Sequence, residues 1–269
     1  MTTNAIARLT SISLLTISPL GVAETPHFAY SGDHGPANWS KLSPEFAACQ
    51  AGKSQSPVNL SGAQDVELPE LHLTYSTLAL RFVNNGHAVQ ANYAAGTTLA
   101  ESYHDTAPNR AHVEYASGST MGHRSSTFEL KQFHFHSPSE HQLNGRNMPA
   151  EVHFVHADES GTLAVIGVFV AEGAAHPTIS QLWEDLPRYE GEDNSLDKPI
   201  SASDLLPTSN DYEYYQGSLT TPPCSEGVRW LMMKEPITMS GGQIAALKEA
   251  IGFDNNRPVQ PLNGRVIFE

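Results

Sequence analysis

A period-two alternation of apolar and polar residues returns along most of this chain, and it restricts the fold more than any other feature. The runs "LALRFV", "HAVQANY", "TFELKQFHFH", "AEVHFVHA", "LAVIGVFVA", "DYEYYQGSL", "VRWLMM" and "GRVIFE" each read as a strand. Successive side chains of a strand point to opposite sides of a sheet, so such runs fit a half-buried β surface. Gly, Pro, Asn and Asp bound them, and "NNGH" at 84–87 reads as a tight hairpin turn. Helical periodicity is confined to "TISQLWEDLPR" (178–188) and "SGGQIAALKEAIG" (240–252). The second has Ser240 as N-cap and Gly252 as a C-terminal stop. The expectation is a mainly β (α+β) chain with a few short peripheral helices. No repeat and no Gly/Ser/Pro-rich linker divides it, so 269 residues form one domain.

Charged residues make up 16% and apolar residues 39%, which is a globular composition. A net charge of -14 argues against nucleic acid or an anionic membrane surface as partner. Residues 1–23 read as an export signal. Arg8 is their only charge, the apolar run "LTSISLLTISPLGVA" follows it, and Gly21 and Ala23 stand at -3 and -1 of a cut before Glu24. The run is too short and too rich in Ser and Thr to span a bilayer. A disordered N-terminal tail is the competing reading. The expectation is a mature domain over 24–269, periplasmic or secreted, with no membrane span. Two cysteines, Cys49 and Cys224, are an even count, which in an exported chain favours a disulfide over two free thiols.

The chemistry concentrates in "QFHFHSPSEH" and "AEVHFVH". Alternation puts Gln132, His134 and His136 on one face of a strand and Phe133 and Phe135 on the other. Glu151, His153 and Val155 likewise share a face. Were the two strands neighbours, His134, His136 and His153 would converge. Three protein ligands with a fourth position open is the arrangement of catalytic Zn²⁺. A ligating imidazole needs its second nitrogen held, and Gln132 and Glu151 each lie two residues from a candidate ligand. A polar strand face of hydrogen-bonded histidines is the alternative. The HExxH pattern of zincin proteases is absent.

These segments, with "QSPVNL", "NNGH", "GSLTTPPC" and "NNRPVQPLNGR", resemble the α-class carbonic anhydrases in order and separation, from about Tyr30 to Phe268. The resemblance is closest to bacterial secreted or periplasmic members. It implies a single domain on a central twisted, mostly antiparallel sheet. It implies an enzyme that hydrates CO2 reversibly to bicarbonate and a proton, through zinc-hydroxide attack and a histidine proton shuttle. An esterase side activity follows from the same chemistry.

The resemblance assigns His134, His136 and His153 to Zn²⁺, with Gln132, Glu151 and the backbone carbonyl near Asn255 behind them. Glu140 and Thr220 become a hydrogen-bonded pair beside the metal, and His87 the shuttle. Tyr30, Asn85 and Gln90 would order the intervening water. Val89, Val155, Val165, Leu219, Thr221, Val228 and Trp230 would line the CO2 pocket. The Cys49–Cys224 pairing resembles the disulfide of secreted bacterial members. Bacterial members also make a homodimer an option. His104, His112, His123 and His176 receive no role, and His141 and His156 are read as buried structural histidines. Ser137-Pro138 and Asn256 depart from many animal members at positions without chemistry. The rival classes are a catalytically silent binding relative, which typically lacks a zinc histidine, and a zinc ester hydrolase.

Overall fold

The computed structural model describes residues 26–77, 80–93, 110–115, 124–196 and 198–269. The expected export signal at 1–23 lies outside them, as do His104 and His123. Seven strands frame the site: β1 (Leu80–Asn84), β2 (Val89–Tyr93), β3 (Arg124–His136), β4 (Ala150–Ala157), β5 (Leu163–Glu172), β6 (Tyr212–Ser218) and β7 (Glu226–Met233). They belong to one twisted sheet of eleven strands among the described residues. Its main path runs Asp193–Ser195, β1, β2, β3, β4, β5, β7, β6. Within it, β5 pairs in parallel with β7 and with Ile237–Met239, and the other pairings are antiparallel. The expected mainly β architecture with short helices is the one observed.

Burial explains the strand sequences. Residues 164–170 of β5 are all buried, which is why its sequence is apolar on both sides and not alternating. On β3 and β4 one face carries Phe133, Phe135, Val152 and Phe154 into the larger core with Phe128, Leu130, Val89 and Ala91. The opposite face meets a second cluster built from Val165, Phe169, Tyr215, Val228, Trp230 and Met232. A register shift between Leu130 and Gln132 resets the phase of β3. Leu130 therefore joins Phe133 in the larger core, although simple alternation would put it with Gln132.

The helix Gly241–Ile251 matches its pattern: Ser240 and Gln243 form a capping box, and Gly252 closes it at φ 82°. The other pattern is shortened. Pro177–Leu182 is helical, Trp183–Asp185 is a single 3-10 turn, and the chain leaves helical geometry at Leu186 because Pro187 follows. "GRVIFE" forms no extended strand; Phe268 makes isolated bridges to Gln64 and Tyr214. Cys49 and Cys224 form a disulfide across 175 residues, and a loop that long removes up to about 5 kcal/mol of unfolded-chain entropy. Among the described residues no helix is long and apolar enough to cross a membrane.

Candidate metal centre

Strand register creates the site. His134 of β3 stands opposite His153 of β4, flanked by the pairs Gln132–Val155 and His136–Glu151. The three imidazole centroids lie 5.0, 5.2 and 4.6 Å apart. One nitrogen from each falls within 4.8 Å of the others. Glycine at 167 makes room behind them. A Cβ there would come within 2.4 Å of Met232 Sδ and 3.3 Å of Glu151 Oε1.

Each ring has one nitrogen tied outward. His134 Nδ1 donates to Gln132 Oε1 at 2.8 Å, His136 Nδ1 to the Asn255 carbonyl at 2.7 Å, and His153 Nε2 to Glu151 Oε1 at 2.8 Å. The acceptors fix the tautomers, leaving lone pairs on Nε2, Nε2 and Nδ1. His136 Nε2 is buried with no hydrogen-bond partner among the described residues. Three neutral nitrogen donors, converging and oriented from behind, fit Zn²⁺.

Electrostatics favour the neutral state at His134 and His136 and act the other way at His153. Burial and then the neighbouring His136 and His153 hold His134 well below the ordinary imidazole pKa, and burial also lowers His136. Burial opposes protonation of His153, but the charge and hydrogen bond of Glu151 and the charge of Glu140 outweigh it and raise its pKa. Glu151 is fully buried; burial resists its ionisation, and His141 and His153 overcome that, holding the carboxyl well below its usual range. Its Oε2 also accepts the backbone N–H groups of Glu140 and His141. His141 donates to Glu151 and accepts from Tyr215, so it is buried and fully bonded.

Glu140 is buried, and its Oε1 accepts from the Arg257 backbone N–H at 2.9 Å. Its Oε2 has no hydrogen-bond partner among the described residues and lies 3.5 Å from His136 Nε2 and 3.9 Å from His153 Nδ1. Thr220 is buried on the loop after β6, and the hydrogen bond expected between Thr220 and Glu140 is not formed here.

Val165, Val228 and Trp230 are buried on the histidine side, with Val155 and Leu219 packed against them. The Trp230 ring sits 4.9 Å from that of His153. Thr221 is half-buried and accepts from Cys224 N. Val89 is a correction: it pairs with Phe135, so alternation turns it into the larger core, away from the histidines.

At the rim, Asn85 Oδ1 accepts from the backbone N–H groups of His87 and Ala88 and shapes the turn between β1 and β2. Asn85 also donates to Gln90, and Gln90 to Asn92. Tyr30 packs on Trp39 and Phe253. Burial, then the charge of Glu140, raises its pKa well above the ordinary phenol value. Asn255 contributes its side chain as well as its carbonyl, joining His87 O, Phe135 O and Ser137 N.

Spacing alone does not reveal Arg257. It is 2% exposed, and its guanidinium binds the carbonyls of Cys49 and Ser56 and the side chain of Gln55. It thus ties the disulfide region to the backbone that holds Glu140. Its only sequence signal is its place in "NNRPVQPLNGR".

The family profile of the eukaryotic-type carbonic anhydrases matches residues 34–269. A carbonic anhydrase of Pectobacterium atrosepticum is 40% identical over 246 residues, covering 91% of this chain and 92% of the relative. One from a Nostoc species is 41% identical, covering 97% and 92%. The α-carbonic anhydrase of Thermovibrio ammonificans, solved with the inhibitor sulfanilamide, superposes with a TM-score of 0.80 at 40% identity, covering 91% of this chain and all of that one. With fold, register and profile in agreement over most of its length, the chain belongs to the α-class carbonic anhydrase family.

Proposed function

We propose that this protein catalyses reversible hydration of CO2 to bicarbonate and a proton, with Zn²⁺ held by His134, His136 and His153. The carrying observation is the trio of inward lone pairs, each backed by an oxygen acceptor on its own ring's far nitrogen. When bound, Zn²⁺ supplies a Lewis acid that makes water a nucleophile near neutral pH, a water pKa near 7 being the established value for carbonic anhydrase zinc.

The chain's own residues do the rest. Val155, Val165, Leu219, Val228 and Trp230 offer a small apolar substrate a dry wall, with Thr221 at its edge. Glu140, as a carboxylate, only accepts hydrogen bonds. A rotation that brings the Thr220 hydroxyl to the unpartnered Glu140 Oε2 would commit that hydroxyl as donor there and leave its oxygen to accept at the reacting centre. His87 takes the product proton outward on its imidazole, with Tyr30, Asn85 and Gln90 framing the path. The disulfide and the leader-like N-terminus support export to the periplasm or beyond.

His134→Ala tests this reading. Zinc content should fall from one per chain to a trace and CO2 hydration to the uncatalysed background. A zinc-free native protein, or a variant as active as its parent, sinks it.

A further inference from the structure

The segment "QSPVNL" supplies no ligand and no pocket wall, yet its Ser56 is fully buried and reaches three branches of the metal centre. Along the first, the Ser56 hydroxyl lies 2.8 Å from that of Tyr215, which lies 2.7 Å from His141 Nε2. His141 Nδ1 donates to Glu151 Oε1 at 2.7 Å, the oxygen that also accepts from His153 at 2.8 Å. Along the second, Ser56 N–H donates to Ser218 Oγ at 2.9 Å and Ser218 N–H returns a bond to Ser56 Oγ at 3.1 Å. Ser218 stands two residues before Thr220, where the ladder between β6 and β7 shifts register. Along the third, the Ser56 carbonyl accepts from the Arg257 guanidinium at 2.7 Å, and Arg257 N–H holds Glu140. Glycine at 217 reserves the room, because a Cβ there would collide with Ser56 Oγ and the Tyr215 ring.

Resting on the reading of His153 as a zinc ligand, we propose that Ser56 is a positioning residue that couples the aim of His153 to the placement of Thr220 and Glu140. It acts on His153 through Tyr215 and His141.

Donor and acceptor roles run one way along the first branch. A carboxylate only accepts. His141 gives its Nδ1–H to Glu151, so its Nε2 accepts the Tyr215 O–H, and the Tyr215 oxygen accepts the Ser56 O–H. A lone pair of the same Ser56 oxygen takes the Ser218 N–H, so one hydroxyl completes two branches. Ser56, Tyr215, His141, Glu151 and Ser218 are all buried, where an unmatched donor or acceptor is costly, so order at one end is imposed on the other. Without the Tyr215 hydroxyl, His141 Nε2 loses its donor and the ring can carry its proton there instead. A lone pair then faces Glu151 Oε1, and Glu151 holds His153 less firmly.

The test compares wild type, Tyr215→Phe, Ser56→Ala and the double variant of the full chain. Tyr215→Phe keeps the ring that stacks on Trp230. It should weaken zinc binding about tenfold in competition with a chelator, the low end for an outer partner of a ligand. By 15N NMR, His141 should be a single Nδ1–H tautomer in wild type and a mixture in Tyr215→Phe. Ser56→Ala should weaken zinc binding severalfold. With zinc saturating, it should also lower kcat/KM for CO2 hydration severalfold, because it releases Ser218 as well. The double variant should bind zinc no more weakly than Tyr215→Phe, since both changes act on one chain of bonds. Wild-type zinc affinity in both single variants overturns the coupling and leaves the metal reading standing, whereas a wild type that binds no zinc overturns both. Losses that multiply in the double variant, or an unaltered His141 spectrum in Tyr215→Phe, overturn the route through Tyr215. Wild-type kcat/KM in zinc-saturated Ser56→Ala overturns the link to Thr220.

Discussion

His153 and His156 lie three residues apart on β4 and face opposite sides of the sheet. Both are buried, and burial resists a proton on each. On its side His153 has Glu151 at 2.8 Å and Glu140 at 3.9 Å, and their charge raises its pKa. His156 faces the aromatic core, bonds to the Tyr75 hydroxyl at 2.7 Å, and is pushed down to about 4 by burial, which backbone groups of Ala164 and Phe154 offset only in part. Desolvation is common to both rings, and the carboxylates make the difference. One face of β3 and β4 is a polar site in which each of the three rings has one nitrogen tied to an oxygen acceptor and the other turned inward. The other is a packed wall held by area removed from water.

If the two faces are separate devices, a cavity in the wall should cost stability and spare the metal. Phe154 is fully buried and its ring lies 5.6 Å from Phe133. Phe154→Ala should destabilise the fold by about 3–5 kcal/mol in denaturant titration. It should still bind one zinc per chain under native conditions. Zinc lost in proportion to stability would show that the wall sets the histidine geometry, and the division into two faces would fail.

A smaller effect isolates His156. Its folded pKa of about 4 lies below the ordinary imidazole value near 6.5. Between those pH values the unfolded chain binds a proton that the folded chain refuses. The stability this neutral ring contributes is therefore complete above about pH 6.5 and is lost as pH falls toward 4, at most about 3 kcal/mol. His156→Gln should flatten that acid limb while leaving stability at pH 8 closer to wild type. An unchanged slope from pH 7 to 4.5 would assign the acid sensitivity to other groups.

Much of this was legible in the sequence for a physical reason. Strand alternation is strict, so His134 with His136, and Glu151 with His153, had to share faces, and a ligating ring needs an acceptor close by in sequence or space. What spacing could not supply was phase and distance. The register shift at Lys131 sends Leu130 to the opposite side from the one alternation gives. The resemblance assigns Val89 to the pocket, but its pairing with Phe135 turns it the other way. Arg257 and the Phe28–His87 stack join segments far apart in the chain, and no local pattern announces either contact. The helix at 178–188 ends early because the residue before Pro187 cannot stay helical, a signal that was present in "DLPR" and outweighed by periodicity.

The finest probe of the histidine face is Gln132, which is half-buried and accepts a hydrogen bond from His134 Nδ1. Removing an outer partner of this kind weakens metal binding by about 10–100-fold, because the ring keeps its nitrogen but loses its fixed orientation and part of its basicity. Gln132→Ala should show that loss in competition with a chelator. Stability of the metal-free fold should scarcely move, since the side chain is no part of the aromatic wall. Gln132→Glu keeps an acceptor oxygen at the same reach and should restore affinity, which a purely steric role for Gln132 would not predict. Equal zinc affinity in Gln132→Ala and wild type would mean that β3 alone aims His134. The polar face would then owe its geometry to the same backbone that builds the wall behind it.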